Sequence, residues 1–76
     1  MAKAKFLEQR WAKKFAANLA KVMEQKGITQ VELAKGSGLS QGTISKYLTG
    51  ERSPKLYHVV NIAKTLGIFL EELYNF

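Results

Sequence analysis

The stretch "ITQVELAKGSGLSQGTISKYLTG", residues 28–50, determines the fold that we predict for this chain. Its pattern indicates two short helices on either side of a break of small residues. Helices of this length are marginal alone, because few hydrogen bonds offset the cost of starting them. Their stability must therefore come from packing against the rest of the chain.

The first helix of the stretch is predicted from about Gln30 to Lys35. Thr29 is a good N-cap, and Glu32 follows three residues later, which is the spacing of a capping box. Gly36-Ser37-Gly38 then breaks the helix.

The second helix of the stretch begins after Ser40, which is predicted to be its N-cap. Its apolar face is formed by Ile44, Tyr47 and Leu48. Gly50 ends it. Two short helices joined by a tight turn form a helix-turn-helix, which we place at residues 29–49.

The geometry of a helix-turn-helix makes demands that this stretch meets. A small residue is needed where the helices pass closely, and Ala34 is small. The turn needs a residue that tolerates positive φ, and Gly38 does. Leu33 and Leu39 are apolar, as residues that anchor the helices to a core must be. Ser37 stands where we expect a small apolar residue.

The flanking residues predict three further helices and no strands. The first runs from Leu7 to Lys26, carries one apolar stripe and ends at Gly27. The stripe consists of Trp11, Phe15, Leu19, Val22 and Met23. Phe6, Leu7 and Trp11 lie far out along it, and are either extra core or a partner surface.

After the stretch, Ser53-Pro54 is expected to start a fourth helix that Gly67 stops. Its predicted inner face consists of Leu56, Val59, Val60, Ala63 and Leu66. A short fifth helix contains Leu70, Leu73 and Tyr74. The 76 residues are thus predicted to form a single compact all-α domain of five helices, preceded by a flexible basic arm over residues 1–6.

The charge of the chain favours a polyanion partner. The net charge is +6, and the Lys and Arg residues concentrate in the first two thirds. A solvated basic surface that only keeps the protein in solution remains an alternative. There is no cysteine, which excludes disulfides and thiolate metal sites and fits a reducing cytoplasm. No apolar run is long enough to be a membrane span or a signal-peptide core.

The spacing Leu33-Ala34-x-x-x-Gly38-Leu39-x-x-x-x-Ile44-x-x-Tyr47 resembles the phage repressor/Cro-like helix-turn-helix family, which has the lambda-repressor-like fold. The resemblance covers roughly residues 14–74. It includes the loop "ERSP" and the closing "IAKTLGIFLEEL". It implies that the third helix lies in the major groove of double-stranded DNA and presents its N-terminal residues to base edges.

The resemblance implies two sets of DNA-contacting residues. The base-reading positions are Ser40, Gln41, Thr43, Ser45 and Lys46. The phosphate-contacting positions are Gln30, Thr49, Arg52, Ser53 and Lys55. Gln41 is the best base-reading candidate, because its amide can bond adenine N6 and N7 together. Gly42 offers no side chain, so either the backbone approaches DNA closely there or the position reads nothing.

The C-terminal residues are unusually apolar for the end of so small a domain. Phe69, Leu70, Tyr74 and Phe76 cannot all belong to its core, so we predict that they form a homodimer interface. A dimer suits a palindromic operator that is read by two recognition helices about one DNA turn apart. Ordinary closure of the core by the last helix is the alternative.

No set of residues predicts catalysis. His58 is the only histidine and has no acidic neighbour in the local sequence, and Glu71-Glu72 lacks a second carboxylate pair. We therefore expect no enzyme activity, no cofactor, no metal and no small-molecule ligand. A surface or helix-contact role is expected for His58.

These observations together predict a dimeric, sequence-specific transcription regulator, a repressor that acts by occupying its operator in the cytoplasm of a bacterial or phage-infected cell. Because the chain ends soon after the fifth helix, we expect no effector or self-cleavage domain. Two alternatives remain. One is an antitoxin-like protein-interaction module on the same fold, and the other is the excised DNA-binding half of a longer repressor.

Overall fold

The computed structural model describes the backbone of residues 2–74 and the side chains of residues 9–74. Over this range the chain forms four α-helices and one 3-10 turn, with no strand. The helices are α1 (Ala2–Lys26), α2 (Gln30–Ser37), α3 (Gln41–Thr49) and α4 (Leu56–Leu66), and the 3-10 turn is Leu70–Glu72. The all-α prediction is confirmed. The count of five helices is wrong, because the last element is a single turn.

The longest helix, α1, begins at Ala2 rather than at Leu7. Residues 2–6, for which we predicted a flexible arm, continue its backbone, since nothing between Ala2 and Lys26 interrupts a helix. In the described part of the chain no helix combines the length and the apolarity that crossing a membrane requires.

The helix-turn-helix forms with the predicted caps. Thr29 accepts from the backbone N–H of Glu32, whose Oε1 in turn accepts from the N–H of Thr29 at 2.9 Å. Gly38 adopts a φ of 74° and donates its N–H to the carbonyl of Ala34, which ends α2. The turn that aims α3 is thus fixed by the glycine that the sequence supplies.

The predicted break at Gly36-Ser37-Gly38 is wrong for its first two residues, which belong to α2. A Cβ on Gly36 would overlap the Cγ2 atom of Thr65, so this glycine allows α2 to pack against α4. Ser37 is buried, and its hydroxyl donates to the carbonyl of Leu33 at 2.7 Å. A buried polar group therefore occupies the position where we expected an apolar one, and it is satisfied within its own helix.

One apolar core holds α2 and α3 between α1 and α4. Its largest fully buried side chains are Tyr47, Phe15, Leu19, Leu33, Ile44, Ile62, Leu73 and Val59. Burying a side chain of this size contributes about 1.5–3 kcal/mol, which offsets the weak intrinsic stability of the two short helices. The α1 stripe from Phe15 to Met23 is confirmed as core.

The start of α4 differs from the prediction. Its N-cap is Lys55, which makes no side-chain capping bond, and Ser53-Pro54 belongs to the preceding loop. The backbone N–H of Lys55 lies 3.5 Å from the Tyr47 hydroxyl, a tertiary contact that local capping signals do not reveal. We predicted that Leu56 belongs to the inner face of α4, but it is 66% exposed. Ile62, which the prediction omitted, is buried there instead.

The C-terminal element stays a single turn for one local reason and one tertiary reason. Phe69 has no side-chain acceptor for a cap, although its own N–H donates to Oε2 of Glu72 at 3.0 Å. The carbonyl of Leu73, which a longer helix would use internally, accepts from Nδ2 of Asn18 in α1 at 3.0 Å. The chain is thus tied back to α1 rather than extended as a fifth helix.

Candidate nucleic-acid interface

The position of α3 exposes one polar face. Ile44 and Tyr47 are fully buried and fix the rotation of the helix about its axis. Helical spacing then places Gly42, Ser45, Lys46 and Thr49 on the opposite face, because residues three, four and seven apart share a side. The described part of α3 carries no acidic side chain. This face can therefore approach an anion.

Two of the predicted base-reading residues also build the helix start. The Ser40 hydroxyl accepts from the N–H of Thr43 at 3.1 Å, and the two hydroxyls lie 2.9 Å apart. One of the two O–H groups is used in this mutual bond, so the pair keeps one O–H donor for an external acceptor. Ser40 caps α3 and Thr43 lies in its first turn, and both present only short groups at its surface.

Gln41 and Lys46 are both exposed, as a base-reading role requires. Gln41 is the first residue of α3, and Lys46 lies more than one turn further along the helix. Ser45 and Thr43 are half-buried. Whether any of these residues contacts a base stays a prediction.

The predicted phosphate-contacting residues lie at the start of α2 and in the loop between α3 and α4. Gln30 opens α2 and is half-buried, whereas Arg52 and Lys55 are exposed in the loop. Ser53 is half-buried beside Pro54. The structure thus places two exposed cations and one short polar residue directly after the helix that would enter the groove.

Thr49 is less available than the sequence suggested. Its Oγ1 atom lies 3.1 Å from the carbonyl of Lys46 and 2.9 Å from Oε1 of Glu51, and these two acceptors share its single O–H. The Glu51 carboxylate would repel a phosphate placed at the same hydroxyl. Thr49 therefore serves the end of α3 in the free protein, and a phosphate contact would require Glu51 to turn away.

Sequence reasoning missed Lys13 as part of this surface. A Cβ built on Gly50 would lie 3.4 Å from Cγ and 3.5 Å from Cα of Lys13, so α1 passes directly against the end of α3. Lys13 is exposed there and adds positive charge beside the loop of Arg52 and Lys55. Its position off the apolar stripe was visible in the sequence, but its proximity to Gly50 depends on how α1 crosses α3.

His58 shows how this charge affects a neighbouring group. Its Nδ1 lies 2.6 Å from the Tyr47 hydroxyl, which confirms the helix-contact role. Desolvation lowers the pKa of His58 below its usual 6.5, and the positive charges of Lys55 and then Arg52 lower this pKa further. The positive charges of Lys55 and Arg52 in the loop therefore act on His58 in the folded protein.

The predicted dimer residues divide into two groups. Leu70 and Tyr74 pack partly against the core, and Tyr74 stacks on Trp11 with ring centroids 5.0 Å apart. Phe69 is 77% exposed. Phe76 lies outside the described residues, as do the side chains of Phe6 and Leu7. Trp11 remains 44% exposed, so it covers the edge of the core and also forms surface.

Comparison with known proteins identifies the class of this fold. The sequence pattern of the helix-turn-helix family matches residues 19–73, which is more than half of the chain. The chain is 35% identical over 57 residues to an uncharacterised HTH-type transcriptional regulator of Sinorhizobium fredii, an alignment that spans 75% of this chain and 74% of that protein.

A solved structure supports the same family assignment. The restriction-modification controller protein C.AhdI from Aeromonas hydrophila superimposes with a TM-score of 0.79 at 31% identity, over 82% of this chain and 94% of that one. The chain therefore belongs to the Cro-like helix-turn-helix family of DNA-binding transcription regulators. It is a regulator of this class rather than an enzyme, as the sequence predicted.

Proposed function

We propose that this protein is a sequence-specific regulator of transcription that binds a palindromic operator as a homodimer and represses by occupying it. The observation that carries the proposal is the exposed face of α3, which is short, polar and free of acidic groups, and which is held by the buried Ile44 and Tyr47. Such a helix suits the major groove of B-DNA, provided that the Glu51 carboxylate turns away from Thr49.

Base reading is assigned to Gln41 first and to Lys46 second. Both are exposed on α3, and a glutamine amide matches the adenine edge in a bidentate manner, while a lysine matches guanine O6 and N7. Ser40, Thr43 and Ser45 would contribute short contacts at the same surface. Their hydroxyls stay close to the helix, so they would let it sit deep in the groove.

Phosphate contacts are assigned to the cations and polar groups around α3. Arg52 and Lys55 are exposed in the loop, with Ser53 between them, and Gln30 stands at the N-terminal end of α2, where backbone N–H groups favour an anion. Thr49 would contact a phosphate only after its hydrogen bond to the Glu51 carboxylate breaks. Such contacts set affinity and register rather than sequence preference.

The homodimer is proposed to form through the C-terminal apolar residues. Phe69 is the most exposed large apolar side chain in the described part of the chain, and Leu70 and Tyr74 adjoin it in sequence. Phe76 is included from the sequence alone. Burying Phe69 in a two-fold interface would remove its apolar surface from water in both copies at once.

The biological role is proposed from the likeness to the controller protein and from the sequence. The solved relative is a restriction-modification controller protein, and regulation by occupancy of an operator needs only a DNA-binding dimer. We propose that this regulation takes place in the cytoplasm of a bacterial or phage-infected cell.

Selection of duplexes from a random pool tests the proposal. The protein should enrich one palindromic sequence, and its affinity for that duplex should fall steeply between about 50 and 200 mM salt while staying well above its affinity for a scrambled duplex. Equal, weak binding to all duplexes would contradict the regulator and would favour the protein-interaction module, whose surface would then be the exposed Phe69.

A further inference from the structure

Gly42 is the glycine whose presence the folded chain does not explain. Four of the six glycines, Gly27, Gly38, Gly50 and Gly67, have positive φ and follow helix ends. Gly36 makes room for Thr65. Gly42 lies inside α3 without positive φ, and a Cβ there would meet only the Oγ of Ser40, at 3.9 Å. Among the described residues, alanine would fit at this position.

Glycine carries a cost at such a position. Within a helix it orders more backbone than alanine does, so it weakens α3 relative to alanine. The helix is short and depends on its neighbours, which makes a weakening residue in its first turn conspicuous. Packing in the free protein therefore does not explain a glycine at position 42, and a contact with a binding partner is the explanation that remains.

The position of Gly42 indicates what that requirement is. Gly42 lies on the same face as Ser45, Lys46 and Thr49, directly opposite the buried Ile44 and Tyr47. It is therefore at the centre of the surface that would face DNA. Because Gly42 has no Cβ, the surface of α3 is lower by about 1.5 Å at this point, roughly one bond length. The short side chains of Thr43 and Ser45 lie on either side of it in the sequence.

We infer that Gly42 is a specificity-determining position, where base edges in the major groove approach the bare backbone of α3 in the space that a Cβ would fill. This inference rests on the proposed function. A methyl group there lifts the helix away from the base edges, which lengthens the contacts of Gln41 and Lys46. Phosphate contacts, which come from the ends and the loop, are much less affected.

The test is the variant Gly42→Ala, compared with the wild type on two duplexes: the sequence that the wild type selects and a scrambled sequence of equal composition. The variant should unfold roughly 2–6 °C higher, because alanine is the better helix former. Its affinity for the selected duplex should fall about tenfold or more, with little change on the scrambled one. A variant that is more stable but binds the selected duplex more weakly cannot have lost affinity through general damage to the fold.

Ala20→Gly in α1 is the matched control, since Ala20 is exposed and lies outside the candidate interface. It should lower the unfolding temperature without changing the ratio of selected to scrambled binding. Wild-type affinity of Gly42→Ala for the selected duplex would overturn the inference, and so would an equal loss on both duplexes. If the wild type itself selects no sequence, the proposed function fails, and the role of Gly42 fails with it.

Discussion

The hydroxyl of Tyr47 in α3 and Nδ1 of His58 in α4 lie 2.6 Å apart, and this hydrogen bond joins the two helices. The Tyr47 ring is fully buried and meets Phe15 of α1 edge-on. Tyr47 therefore connects three of the four helices in the described range. Either atom can be the donor in this bond, according to which ring nitrogen of His58 carries the proton.

Tyr47→Phe should lower the free energy of unfolding by about 1 kcal/mol, since it removes this hydrogen bond and the longer contact with the Lys55 N–H but keeps the buried ring. Urea unfolding measures the change. Tyr57→Phe is the control, because Tyr57 is mostly exposed and should contribute little through its hydroxyl. Equal stability of Tyr47→Phe and the wild type would show that the bond does not contribute.

The stability of the protein should depend on pH through His58. Its pKa is lower in the folded protein than the usual 6.5 because of desolvation, Lys55 and Arg52, so the unfolded chain binds a proton first as the pH falls. Stability should therefore be fully present above pH 6.5 and decrease as the pH drops from there toward the lower folded pKa. His58→Gln should flatten this dependence in urea unfolding, and an unchanged slope would assign it to other groups.

Gln41→Ala should cost on the order of 1–3 kcal/mol at the selected duplex and relax the sequence preference at one base pair. Fluorescence anisotropy on single-base variants of that duplex measures both effects. Gln25→Ala, an exposed change on α1, is the control and should bind like the wild type. If Gln41→Ala weakens all duplexes equally, Gln41 does not read a base.

Arg52→Ala should weaken binding to every sequence and reduce the slope of log affinity against log salt by about 1, because one phosphate contact is lost. Glu51→Gln, the opposite charge change next to it, should tighten binding to every sequence. Lys64→Ala near the end of α4 should leave the slope unchanged. A wild-type slope in Arg52→Ala would remove this residue from the phosphate contacts.

Phe69→Lys should shift the protein toward monomer in sedimentation equilibrium, since a lysine would place a charge inside the proposed apolar interface. The fold should survive, because Phe69 is already 77% exposed. Val31→Lys makes the same kind of change on α2 and should not alter the oligomeric state. A dimer that persists in Phe69→Lys would place the interface elsewhere.

Local signals were enough to predict the helix-turn-helix. The capping box of Thr29 and Glu32, the turn glycine Gly38 and the cap Ser40 act within a few residues, so their effects are visible in the sequence. The buried stripe of α1 was predicted for the same reason.

The sequence did not predict features of the fold that depend on residues far apart in the chain. Gly36 lies in α2 where a Cβ would overlap Thr65 of α4, and the last turn ends where Asn18 of α1 donates to the carbonyl of Leu73. The Lys13–Gly50 contact depends on the crossing of α1 and α3. No short-range pattern contains these contacts, and the hydroxyl partners of Thr49 likewise appear only in the folded chain.

The most direct test of the central claim, that α3 enters the major groove, is to titrate the isotope-labelled protein with its selected duplex and follow the backbone amide shifts. The account predicts that the largest changes fall on residues 40–46 and on the loop of residues 50–55, and that a scrambled duplex leaves residues 40–46 less affected. Unchanged shifts along α3, with binding concentrated on another face, would contradict it.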